Sequence, residues 1–123
     1  MIHQAAGERN YHSFYALCAG ASSAERAALF LPPEGTGGPS APAAASAFRL
    51  LTHGQCLRVE GIHDAEDYTE MKKAFLTLQF SAIDVQEIMK TVAAILHLSE
   101  GGTTQHTQRT DEQAATVLSR VRA

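Results

Sequence analysis

The segment from residue 82 to residue 98, AIDVQEIMKTVAAILHL, sets the terms for everything around it. Val85, Ile88, Met89, Val92, Ile95 and Leu96 recur at helical spacing and span an apolar face wider than a surface helix carries. A helix of that kind needs neighbours on several sides, so it is expected at the centre of a helical body. Its start is marked as well. Ser81 followed by Asp84 has capping-box spacing, in which the serine oxygen accepts an amide proton and the acid reaches back to the cap.

Three further helices are expected ahead of it and one after it. Over residues 8–19, Tyr11, Phe14, Tyr15 and Cys18 fall at i, i+3, i+4 and i+7, one face of a helix. Ser22 and Glu25 repeat the capping-box spacing and open a short helix over residues 22–31, stopped by Pro32 and Pro33. Asp64 is expected to cap a helix over residues 64–79, with Tyr68, Met71, Phe75 and Leu78 as a narrow apolar stripe. Asp111 is expected to cap the last helix, residues 111–122, with Val117, Leu118 and Val121 inward and Arg120 and Arg122 at the favourable C-terminal end.

The connections are equally distinctive. Residues 32–47, PPEGTGGPSAPAAASA, hold all four prolines and three of the nine glycines, and read as a flexible loop insertion. Residues 99–110, SEGGTTQHTQRT, are polar and aperiodic and read as a second loop. Residues 48–62 alternate too briefly for a sheet and are expected to be irregular. With 21 alanines against 26 Leu, Ile, Val and Phe, large core side chains make up barely a fifth of the 123 residues, so the isolated chain is expected to be marginal or to self-associate.

Composition excludes several classes of function. No apolar run approaches the ~20 residues of a membrane span, and the N-terminus has no signal-peptide apolar region. Neither a membrane protein nor a secreted precursor is expected. A net charge of −3 with scattered Lys and Arg provides no basic stripe for nucleic acid. Cys18 and Cys56 could pair as far as spacing goes, but two cysteines in such a chain read as buried thiols in a reducing compartment.

Nor does a reacting constellation emerge. The lysines, Lys72, Lys73 and Lys90, never follow a glycine, so no phosphate-cradling loop is present. His3, His12, His53, His63, His97 and His106 lack paired ligand spacing, and no Cys-x-x-Cys accompanies them. His12 and His97 sit inside expected helices beside core positions. They read as packed, hydrogen-bonded histidines rather than general bases, since no nucleophile neighbours them. Asp64, Glu66 and Asp67 gather where a helix begins, and the positive end of its dipole accounts for them. No catalytic, cofactor-binding or metal-ligating residue is therefore assigned.

The order of several blocks nevertheless resembles one family. GERNYHSFYALCAGAS, beginning at Gly7, resembles the GERN-F/Y-H-I-F-Y-Q-L-x-A-G-A segment of myosin motor domains, with Ser13 in place of the usual isoleucine. Leu31-Pro32-Pro33 is similar to that family's leucine and proline pair after a short helix. VEGIHDAEDY, Val59 to Tyr68, resembles V-D-G-I-D-D-A-E-E-F. Phe80-Ser81 matches the family's G-F-S turn, and VAAILHL, Val92 to Leu98, resembles V-A-A-I-L-H-L-G. DEQAATVL, from Asp111, looks like the helix the family places next. Two features depart from the pattern. The alanine- and proline-rich loop before Phe48-Arg49-Leu50-Leu51 is longer than usual, and Leu98-Ser99-Glu100-Gly101-Gly102 replaces L-G-N and its following strand.

The resemblance implies a mostly α chain, a helical fragment of a larger α/β P-loop motor domain, from the upper 50-kDa subdomain between switch I and switch II. The intact protein would then be an actin-based motor and an actin-activated ATPase using Mg-ATP, cytoplasmic and associated with the cytoskeleton. This segment would act as its helical scaffold, with the rest of the motor domain and, through it, the actin filament as partners. The phosphate loop and switch I would be encoded upstream and switch II downstream. The alternative is a free-standing helical interaction module derived from a truncated myosin. A small independent enzyme ranks last, for want of a nucleophile–base pair.

Overall fold

The computed structural model describes residues 4–33, residues 45–100 and Thr116. Among them the chain forms helices and turns and no strand. The helices are α1 (His12–Gly20), α2 (Ser23–Leu29), α3 (Arg49–Thr52), α4 (Asp64–Thr77) and α5 (Ala82–Ser99), with a 3₁₀ turn at Ala45–Ala47 ahead of α3. Of the expected helix at 111–122 only Thr116 is described, and it is helical and exposed; nearly all of the loop at 99–110 and the middle of the loop at 32–47 lie outside the described residues.

The centre of the body is α1, not α5. Phe14, Tyr15, Ala16, Leu17 and Cys18 are all buried, so α1 is covered around most of its circumference instead of along one face. It packs chiefly on α4, and also on α5 and the 3₁₀ turn. Gly20 makes the approach to α4 close enough: a Cβ there would lie 2.4 Å from the Cβ of Tyr68. α5 buries Val85, Met89, Ala93, Ala94, Leu96 and His97. Its opposite side leaves Ile83, Ile95 and Leu98 about half exposed or more.

α1 begins four residues later than its apolar pattern suggests. Residues 8–11 are held outside the helix by polar contacts: the Asn10 N–H donates to the Tyr15 hydroxyl at 3.0 Å and the Tyr11 N–H to the Asn10 side-chain oxygen at 2.8 Å. Tyr11, expected inward, is exposed. The far end of α1 is completed by a side chain of the next helix. Buried Arg26 donates to the carbonyls of Cys18 (2.9 Å), Ala21 (2.9 Å) and Pro32 (3.2 Å), answering backbone acceptors that a helix end leaves unpaired.

Both expected capping boxes form. The Glu25 N–H donates to Ser22 Oγ at 3.2 Å, and the Asp84 N–H to Ser81 Oγ at 3.1 Å. Asp64 does not cap α4. His63 holds the cap position without a side-chain bond, and Asp64 turns to Arg9, whose Nη2 lies 2.8 Å away. α4 ends in a Schellman motif: the Phe80 N–H reaches the Phe75 carbonyl and the Gln79 N–H the Leu76 carbonyl, both at 3.0 Å. The Phe75 and Phe80 rings close it edge to face, 5.3 Å between centroids. Leu78, expected in the apolar stripe, becomes the cap of this end and is exposed.

The stretch expected to be irregular is partly ordered. α3 buries Leu51 fully, and Phe48 and Ala45 join the same core, so the end of the alanine-rich loop is core material. The Arg49 N–H donates to the Glu100 carboxylate, which ties α3 to the end of α5. No regular element forms between Gln55 and His63.

Candidate functional site

The residues singled out by chemistry are placed apart. His12 and His63 are exposed, and Glu66 and Asp67 face solvent in the first turn of α4. His97 is buried in α5: its Nε2 donates to the Leu29 carbonyl at 2.8 Å, and its ring meets Phe48 edge on at 5.6 Å. It is a packing residue that joins α5 to α2. Both cysteines are free thiols. Cys56 is half-buried, whereas burial, partly offset by Arg26 and reinforced by Asp64, pushes the Cys18 thiol up to about 12, far from a reactive thiolate. Among the described residues no three His, Cys, Asp or Glu side chains gather as a metal site would require.

Two polar centres do form. The first lies between the start of α1 and the start of α4. The Arg9 guanidinium sits 3.9 Å over the Tyr15 ring and pairs with Asp64, both side chains at least nine-tenths buried. Among the described residues Arg9 Nε and Nη1 find no hydrogen-bond acceptor, so the face of the tyrosine supplies much of the compensation. The Tyr15 hydroxyl donates in turn to the Leu51 carbonyl at 3.2 Å, and Gln4 bridges Asn10 to Leu50. This network joins four parts of the chain. Its hydrogen bonds are buried or partly buried, which suits an architectural role.

The second centre is Glu25. Besides accepting the Ser22 N–H in the capping box, its carboxylate accepts the Tyr68 hydroxyl and the Lys72 ammonium, the latter at 3.1 Å. Partial burial pushes the Glu25 carboxyl up, but these donors together outweigh it and hold the group below the ordinary carboxylate range. The same contact, added to burial, raises the Tyr68 hydroxyl above the usual tyrosine range. Lys72 also lies 4.6 Å over the Tyr68 ring. Beside this centre, side chains of α2, α4 and α5 line an open cleft of about 580 Å³. The sequence flagged Glu25 only as a cap. Tyr68 and Lys72, one turn apart on α4, carried the signal of a shared face, but nothing local showed that the face meets α2.

Comparison with known proteins gives this architecture its context. The profile of the family described as myosin head (motor domain) matches residues 1–121. This chain belongs to that family. Myosin IB heavy chain of Dictyostelium discoideum is 36% identical over 98 residues, which is 80% of this chain and 8% of that protein. Unconventional myosin-VIIb of Mus musculus is 41% identical over 99 residues, again 80% of this chain but 4% of that protein. A similar match, 37% over 94 residues, is found in chitin synthase csm1 of Pyricularia grisea. The chain thus spans less than a tenth of the length of each of these relatives, and the described part of this myosin-head segment is its helical body.

Proposed function

We propose that this segment serves as a rigid helical scaffold within an actin-based, ATP-driven motor. Motors of this kind convert small shifts at a phosphate site into domain rotations, and such rotations need bodies that move as units. The observation that carries the reading is the way α1 is built: its core side chains, its last carbonyls and its close approach to Tyr68 each depend on a different element. The exposed apolar side chains Leu76, Leu78, Phe80, Ile83, Ile95 and Leu98 support it, because a body embedded in a larger motor needs such surface for its neighbours. In isolation that surface favours self-association.

Mg-ATP and the actin filament are assigned to the intact motor, acting in the cytoplasm on the cytoskeleton. The residues of this chain do not fit the nucleotide, since no Gly-Lys-Ser/Thr loop occurs in the sequence. The test is a segment exchange. Residues 4–100 replace the matching stretch of Dictyostelium myosin IB heavy chain, and actin-activated ATPase activity is measured. Retained activation is expected. A soluble, folded chimera without activation would overturn the scaffold reading and favour a free-standing interaction module.

A further inference from the structure

α5 carries a second apolar stripe, on the side opposite its buried face. Ile88, Thr91, Ile95 and Leu98 follow one another at steps of three, four and three residues, the seam pattern by which one helix receives another. Ile88 is half-buried, Thr91 is exposed, and Ile95 and Leu98 are about half exposed. The Thr91 hydroxyl donates to the Glu87 carbonyl at 3.0 Å, so its polar group is answered within the helix and its methyl group is left to the stripe. Towards the start of α5 the stripe runs into two acids, Asp84 and Glu87.

The segment 111–122 has the matching pattern. Ala114, Val117, Leu118 and Val121 fall on one helical face. Thr116, which is helical and exposed, lies by helical spacing on the face opposite them. Arg120 and Arg122 stand at the far end. The lengths agree as well: from Leu98 back to Glu87 α5 runs about 17 Å, and residues 111–122 as a helix would run about 18 Å. Residues 100–110 can bridge up to about 36 Å, more than the reversal between two antiparallel helices needs. Laid antiparallel on α5, the segment brings its arginines to Asp84 and Glu87, so the apolar stripe and the charges select the same direction.

We propose that the stripe of Ile88, Thr91, Ile95 and Leu98 is the docking surface for residues 111–122, which lie antiparallel on α5 with Val117, Leu118 and Val121 against it. The proposal rests on the scaffold reading and deepens it, since it names the chain's own next segment as the neighbour that covers Ile95 and Leu98. Leu76, Leu78, Phe80 and Ile83 are left to the rest of the motor.

The test is a disulfide trap in the whole chain, with Cys56→Ser removing the half-buried thiol and buried Cys18 left in place. Ile95→Cys is paired with Leu118→Cys, and the monomer from gel filtration is oxidised mildly at low concentration. An intramolecular disulfide is expected to form at least about tenfold faster than in the control pair Lys73→Cys with Leu118→Cys, because docking raises the effective concentration of the two thiols. The chain has no tryptophan, so Leu98→Trp supplies a second measurement. Its emission is expected to be blue-shifted in the whole chain and to move to the red when Val117→Asp and Leu118→Asp are added. Neither measurement uses actin or nucleotide, so failure here is separate from failure of the actin-activation test. A trapping rate equal to the control, or an emission indifferent to both aspartates, would overturn the assignment. Covalent dimers in place of the intramolecular bond would overturn it as well and make a second copy of the chain the occupant.

Discussion

Gly20 of α1 lies directly beneath Tyr68 of α4, so close that the hydrogen of glycine is the largest group the contact admits. A methyl group at residue 20 would meet Tyr68 Cβ at 2.4 Å and the ring carbons at 2.6 and 2.7 Å. Cβ cannot rotate away, so the two helices must separate. Gly20→Ala is expected to destabilise the chain by about 2–3 kcal/mol, in spite of alanine's better helix propensity. Urea unfolding followed by far-UV circular dichroism checks it, and a neutral or stabilising result would refute the close contact.

Arg26 is expected to be the most sensitive charged position. Its guanidinium answers carbonyls of Cys18 and Ala21 in a buried setting, and those acceptors have no water to turn to. Arg26→Ala is expected to cost about 3 kcal/mol, and Arg26→Lys most of that, because an ammonium cannot reproduce the planar fork. Chemical denaturation of both variants decides it.

Gln79 adopts φ +69°, the left-handed region, at the turn between α4 and α5. Side chains other than glycine are strained there. Gln79→Gly is expected to raise stability by about 0.5–1 kcal/mol, the reverse of the usual effect of glycine. The shift in urea midpoint at unchanged slope is the measurement.

Acid should act through Glu25. Its carboxyl ionises at lower pH in the folded chain than in the unfolded one, so its charge favours folding above the ordinary carboxylate range. That contribution fades as pH falls through the folded-state value. Asp84, held low by the Ser81 hydroxyl and N–H, contributes in the same direction. The urea midpoint is expected to drop between about pH 5 and pH 3, and to drop less in Glu25→Gln. An identical pH profile in the variant would remove Glu25 from the account.

Nucleotide binding offers a test of a different kind. Isothermal titration with Mg-ATP at millimolar concentration is expected to show no saturable heat, since no loop in the sequence can cradle phosphates. A dissociation constant below about 100 µM, worth roughly 5.5 kcal/mol, would contradict this.

What could be read from the sequence was what is decided locally. Ser22 with Glu25 and Ser81 with Asp84 cap their helices because each box is closed within four residues. The same reasoning failed at Asp64, where a buried arginine 55 residues away outbids a cap. It also misplaced the centre of the body. The apolar face of α5 is wider than that of α1, but α1 has small residues at Ala16, Cys18 and Gly20, which let neighbours close in on every side. The Glu25 centre was half legible, as a cap, because its other partners come from α4. The cleft could not be read at all, since it depends on how three helices are set relative to one another.

The guanidinium that completes α1 from α2 also determines what can come apart alone. If α2 unwinds, Arg26 leaves with it, and the carbonyls of Cys18 and Ala21 are stranded among apolar side chains. The last turn of α1 then has no stable state of its own. α2 has only seven residues and would ordinarily fray within any domain, yet here its opening carries the opening of the central helix with it. Amide protons in the two helices should therefore exchange with solvent at one common rate limit, that of the whole body.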